Sequence, residues 1–143
     1  MHLLLSANPE FPVPRGVKIR ILGKSDIPLL VEHLTSLDDR ARHTRFNGQV
    51  DTEAIADYGR RCIHPGVMVI AAEKDGHVIA VSELHPATMN VAEAAFSVDS
   101  HWRGKGLGAA LFSLILEAAW SRGLTELDIA TDSSNEAMKK LAR

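Results

Sequence analysis

The chain has 143 residues, 45% of them hydrophobic and 24% charged, with a formal net charge of −2. This suits one globular domain and gives no reason to expect a non-specific nucleic-acid binder. A single cysteine excludes an internal disulfide, and the short apolar start, Met1 to Ser6, lacks the cationic flank and length of a signal or membrane segment. The protein is therefore expected in the cytoplasm.

Residues 1–16 carry Pro9, Pro12 and Pro14 and are expected to form an irregular arm. The rest, 17–143, reads as a single domain without repeats or linkers. Val17 to Leu22 alternates apolar and basic residues, the period of a half-buried strand. Ser25 or Asp26 is placed to cap a following helix, with Pro28 in its first turn and Leu29, Leu30, His33, Leu34 and Leu37 as its apolar stripe. Leu37 to Phe46 is the basic cluster of the chain and has room for a short second helix. Charge runs usually lie on the surface, so it reads first as a solvated amphipathic turn with Phe46 in the core.

Asp51 or Thr52 should cap a helix running to Cys62, with Ile55, Tyr58 and Cys62 inward, broken at His64-Pro65-Gly66. Cys62 reads as a core thiol rather than a nucleophile. Val67 to Glu73 and Val78 to Leu84 should pair as a hairpin through Asp75-Gly76, and His85 to Asn90 should loop to a further strand, Val91 to Val98. After Asp99-Ser100-His101-Trp102 comes Arg103-Gly104-Lys105-Gly106-Leu107-Gly108-Ala109. The helix that follows, Leu107 to Arg122, repeats apolar residues at Leu107, Leu111, Leu114, Ile115 and Ala118 and stops at Gly123. Leu124 to Ala130 is a fifth strand, and Ser134 or Asn135 opens a closing helix.

Strand, glycine-rich turn and helix aim bare backbone amides at a phosphate. Glycines allow positive φ and close approach, and the first N–H groups of a helix lack partners inside it and sit at its positive end. Arg103-x-x-Gly106-x-Gly108 resembles the acyl-CoA loop of the GNAT superfamily of N-acetyltransferases. Ala92 to Val98 resembles the strand before that loop, and Asn135 to Leu141 its last core helix. The Ala-Glu-x-Ala strand and the Asn-x-x-Met helix look most like the protein-lysine acetyltransferase branch. Arg42-His43-Thr44-Arg45-Phe46 is similar to a segment that in this branch helps shape the acceptor site.

The resemblance implies an α/β (α+β) fold with a mixed, mostly antiparallel central sheet flanked by helices. It implies acetyl transfer from acetyl-CoA to a primary amine, with a protein lysine as leading acceptor and no metal. The backbone of Phe96, Ser97 and Val98 would hold the pantetheine arm, and a backbone amide there would polarise the thioester carbonyl. Arg103, Gly104, Lys105, Gly106, Leu107, Gly108 and Ala109 would cradle the pyrophosphate, with Arg103 and Lys105 adding charge, and Asn135 would contact the cofactor. A lysine is mostly protonated at neutral pH, and a carboxylate within one water of it can take that proton, worth roughly 10²–10⁴ in rate. Glu93 is the candidate base, with Glu83 on the neighbouring strand second. An ordinary surface glutamate is the alternative for Glu93, and a plain helix cap the alternative for Asn135.

Two departures stand out. Many members carry a tyrosine as general acid where this chain has Ala142. The family also usually continues past the position of Arg143 with two more strands, so the chain is expected to be a fragment or to complete its sheet with a second copy. A non-enzymatic acyl-CoA sensor on the same fold is the competing reading. Gly104-x-Gly106-x-x-Ala109 also satisfies a dinucleotide fingerprint, but Asp99 to Trp102 intervenes between strand and loop, and too little chain follows for the remaining βαβ units. Gly23-Lys24-Ser25 lacks the earlier glycine of a P-loop, and the seven histidines show no zinc-site spacing.

Overall fold

A computed structural model of the chain describes residues 12–46, 48 and 50–129. Five strands form one sheet in the order β1 (Lys18–Ile21), β2 (Met68–Lys74), β3 (His77–Pro86), β4 (Val91–Val98) and β5 (Glu126–Ile129). The first four pair antiparallel, and β5 runs parallel to β4. The helices are α1 (Ile27–Thr35), α2 (Asp39–Phe46), α3 (Thr52–Cys62) and α4 (Leu107–Ser121). Among them none is long and apolar enough to cross a membrane.

Successive side chains of each strand point to opposite faces, and this sorts the core into two halves. On one face Met68, Ile70, Ala72, Ala80, Leu84, Ala92 and Ala94 meet Leu107, Leu111, Leu114, Ile115 and Ala118 of α4. On the other, Val69, Ala71 and Val81 meet Leu30 and Leu34 of α1 and Ile55 and Cys62 of α3. Gly59 lets α1 and α3 close on each other: a Cβ there would lie 2.8 Å from Val31 Cγ2. Asp75 and Gly76 both take positive φ, 51° and 81°, as the two-residue β2–β3 hairpin requires.

Several local expectations hold in detail. Asp51 caps α3 by accepting a hydrogen bond from the Ala54 amide at 2.8 Å. Gly123 ends α4 with φ 79°. Three others need correction. Asp26 stands at the head of α1 but does not cap it, because its carboxylate is taken by Arg20 and by the Gly23 amide. β3 extends through His85 and Pro86, residues expected in a loop. The basic cluster is a helix, α2, and two of its arginines turn inward.

The two tryptophans occupy opposite environments. Trp102 packs against the α4-side core just before the glycine-rich loop, whereas Trp120, at the far end of α4, is 72% exposed.

Candidate active site

The loop is built as its glycines suggest. Gly104 and Gly106 have φ of 73° and 88°, which side chains with a Cβ adopt only with strain. Gly106 sits at the N-cap of α4, and the first helical bond runs from the Ala110 amide to the Gly106 carbonyl at 3.1 Å. The amides of Leu107, Gly108 and Ala109 precede that bond and have no acceptor inside the helix. Leu107 is buried under the sheet and α4 packs along its whole apolar stripe, so the loop rests on a rigid base.

The strand before the loop carries the second element. β5 pairs with β4 only from Val91 to Ala94. From Ala95 to Val98, β4 therefore has one unpaired edge among the described residues, leading straight to the loop. Such an edge can accept an extended chain as an extra strand would. The side chains around it are fixed. Phe96 lies against Phe112 of α4, with ring centroids 5.9 Å apart. Ser97 points to the opposite face, where its hydroxyl meets His33 Nε2 of α1 at 2.9 Å. Burial pushes the His33 imidazole down to about 4, so it is neutral, and its Nδ1 is buried without a partner among the described residues.

Arg103 does not point at an open site. Its guanidinium binds the Asp38 carboxylate at 2.8 Å, and Asp38 also accepts the Ala41 amide at the head of α2. The hydrogen bond from Arg103 holds the Asp38 carboxyl below its ordinary range. The side-chain charge expected at the loop from Arg103 is thus committed, in this arrangement, to the α1–α2 joint. Arg42 closes the same joint by donating to the Thr35 and Leu37 carbonyls. Lys105 is exposed on the loop.

Glu93 is exposed on β4, on the face covered elsewhere by α1 and α3. Directly across the strands lie His85 of β3 and Asp128 of β5. Two residues away, Glu83 behaves differently. It is fully buried and takes two hydrogen bonds from Arg45 of α2, one from Tyr58 of α3, one from His85 and one from Cys62. The Arg45 side chain is itself only 10% exposed, and it packs against the rings of Phe46 and Tyr58. Burial alone would raise the Glu83 carboxyl, but the hydrogen bonds from His85, Arg45 and Tyr58 bring it down to about 2. Burial and the neighbouring carboxylate push the Cys62 thiol up to about 12 and raise the Tyr58 hydroxyl as well.

Cys62, Glu83 and His85 bring donor atoms within 4.8 Å of one another. Arg45 nevertheless sits on both Glu83 oxygens, where it would repel a cation, and a metal would need the thiolate that this site disfavours. The cluster is better described as a compensated ion-pair network. It also weakens Glu83 as a base, because its carboxylate is enclosed and already bound, whereas Glu93 is accessible.

Of the sequence candidates, Phe96 to Ala109 come together as one continuous strand, loop and helix start, with Glu93 on the same strand. Asn135 lies outside the described residues. Sequence reasoning did not place Arg45, Tyr58 or His85 around Glu83. The available signal was Glu83 and His85 at i and i+2, which share a face once the strand is read through His85.

No curated protein sequence is significantly similar to the chain. Among solved structures, the GNAT domain of S. lividans PAT is 23% identical, with a TM-score of 0.73 over 88% of this chain and 78% of that one. The Salmonella typhimurium protein yncA, a putative acetyltransferase solved with its cofactor acetyl-CoA, is 21% identical, with a TM-score of 0.66 over 87% of this chain and 75% of that one. A ribosomal-protein-alanine N-acetyltransferase from Brucella melitensis biovar Abortus 2308 is 17% identical, with a TM-score of 0.62 over 87% and 86% of the two chains. These likenesses establish the fold. The sequence profile of the acetyltransferase (GNAT) family matches residues 32–143, so the chain belongs to that family.

Proposed function

We propose that the protein is an acetyl-CoA-dependent N-acetyltransferase acting on a primary amine, with a protein lysine as the favoured acceptor. The observation that carries this reading is the edge of β4 from Ala95 to Val98, unpaired among the described residues, running into the positive-φ glycines and the first amides of α4, which have no acceptor inside the helix. Pantetheine would lie along Phe96, Ser97 and Val98, and pyrophosphate would sit on Arg103 to Ala109. Each phosphate contact at a helix end contributes roughly 0.3–2 kcal/mol. Asn135 is proposed as a further cofactor contact. The yncA structure with acetyl-CoA supports the choice of co-substrate by likeness of fold.

Glu93 is the proposed general base. Its exposed carboxylate draws in a cationic acceptor and takes a proton from the ammonium. The freed lone pair then attacks the thioester carbonyl, the C–S bond breaks with its electron pair on sulfur, and the remaining excess proton on nitrogen passes to the coenzyme A thiolate. The test is calorimetric titration with acetyl-CoA and, as a control, NADH, followed by turnover with Glu93→Gln. Acetyl-CoA binding that survives E93Q while transfer falls by about 10²-fold would support the reading. Binding without turnover in either form would make the protein an acyl-CoA sensor. NADH binding alone would overturn the acetyltransferase reading.

A further inference from the structure

The Glu83 network has one edge that reaches solvent, and that edge is His85. Its side chain is 27% exposed, whereas Glu83 beneath it is fully enclosed. Nε2 of the imidazole lies 2.9 Å from Glu83 Oε1. A carboxylate can only accept, so Nε2 carries the hydrogen and, in the neutral ring, Nδ1 carries the lone pair. Arg45 and Tyr58 fix the carboxylate in turn. A carboxylate that holds one ring nitrogen fixes the tautomer and aims the other nitrogen, which is how proteins orient an imidazole to take a proton.

The register then places His85 across the strands from the proposed base, with no direct hydrogen bond or ion pair between the two. His85 is directly opposite Glu93 in the antiparallel β3–β4 pair, and side chains so placed start from Cβ atoms about 4.5–5.5 Å apart on the same face. The charged and titratable groups around His85 are Glu83 on its own strand, Arg45 from α2, Tyr58 and Cys62 from α3 and Glu93 from β4. Arg45 neutralises Glu83 in the resting state.

We propose that His85, held by Glu83, is a second proton-accepting residue, receiving through Glu93 the proton taken from the acceptor amine. The ammonium gives one proton to the Glu93–His85 pair and the nitrogen lone pair forms the C–N bond. As the C–S bond breaks, the sulfur takes the electron pair. The remaining excess proton on nitrogen passes to the thiolate through water, and the imidazolium returns its proton to solvent. The sum is amide, free thiol and one proton released. This inference rests on the acetyltransferase reading above.

The discriminating variant is His85→Gln, whose amide can still donate to Glu83 but cannot accept a proton; His85→Asn is the second variant. Transfer from acetyl-CoA to poly-L-lysine is followed by thiol release across pH, alongside ¹⁵N spectra of the histidine rings. The expected result is a fall in kcat of about 10²-fold in H85Q, with unchanged acetyl-CoA affinity and a pH profile of turnover that differs from that of the wild type. Wild-type turnover that H85Q and H85N leave intact would overturn the role of His85 and leave the acetyltransferase reading standing. No transfer by the wild type would sink both. A neutral His85 ring protonated on Nδ1 rather than Nε2 would overturn the proposal whatever the rates.

Discussion

The two faces of the sheet solve opposite problems. The α4 face is almost entirely aliphatic and holds the glycine-rich loop still. The α1–α3 face shares its apolar core with a buried arginine–glutamate pair, a buried tyrosine contact and a neutral histidine on Ser97. Apolar packing needs only volume and area, so it tolerates approximate solutions. Buried charge needs every partner present. One face is thus a support and the other a set of mutually dependent groups.

That contrast predicts a ranking. Glu83→Ala should cost about 3–5 kcal/mol in urea unfolding, because it leaves the Arg45 guanidinium enclosed and unpaired. Leu111→Ala, on the other face, should cost about 3 kcal/mol through lost transfer energy and a residual cavity. If Leu111→Ala is the more damaging, the charged network contributes less than its geometry implies.

A pH series sharpens the comparison. Burial lowers His33 from 6.5 to about 4, so below pH 6.5 the unfolded chain takes up its proton first. Its contribution is complete above pH 6.5 and lost as pH falls toward 4. The wild type should lose about 2 kcal/mol between pH 6.5 and 5, and His33→Gln should flatten that slope. Glu83, depressed to about 2 from 4.5, contributes fully above pH 4.5 and loses its effect toward pH 2. Its window lies below that of His33, so acid titration separates the two.

The smallest expected effect on stability is that of Asp38→Asn. Both partners of the Asp38–Arg103 pair are about 40% exposed, so stability should change by less than about 1 kcal/mol. Affinity for acetyl-CoA should rise, because Arg103 is released and a carboxylate beside the loop is neutralised. Weaker binding in the same titration would show that the tie to α2 holds the loop in shape.

The difference between the faces also explains what the sequence could reveal. The α4 stripe, Leu107 to Ala118, is local, and its 3.6-residue period is visible without any partner. The strand–loop–helix unit from Val91 to Ser121 is equally contiguous. Arg45 and Glu83 are 38 positions apart, and nothing in either neighbourhood announces the other. A charged helix reads as solvated until the sheet residue beneath it is known. Pro86 made the end of β3 look like a loop, since proline disfavours sheet interiors. At the last position of the strand that restriction is mild, and His85 is carried into the sheet with it. Glu93 was singled out through likeness to a family; its neighbour across the strands was not.

The placement of Trp102 and Trp120 gives the protein an internal optical probe. Trp102 immediately precedes Arg103 and packs, partly buried, against the core, so its emission is expected to respond when the loop is occupied. Trp120, 72% exposed at the opposite end of α4, should be quenched readily by acrylamide and remain indifferent to ligand. Trp120→Phe would leave a single emitter at the loop, turning intrinsic fluorescence into a stopped-flow record of cofactor arrival that needs no label and no known acceptor.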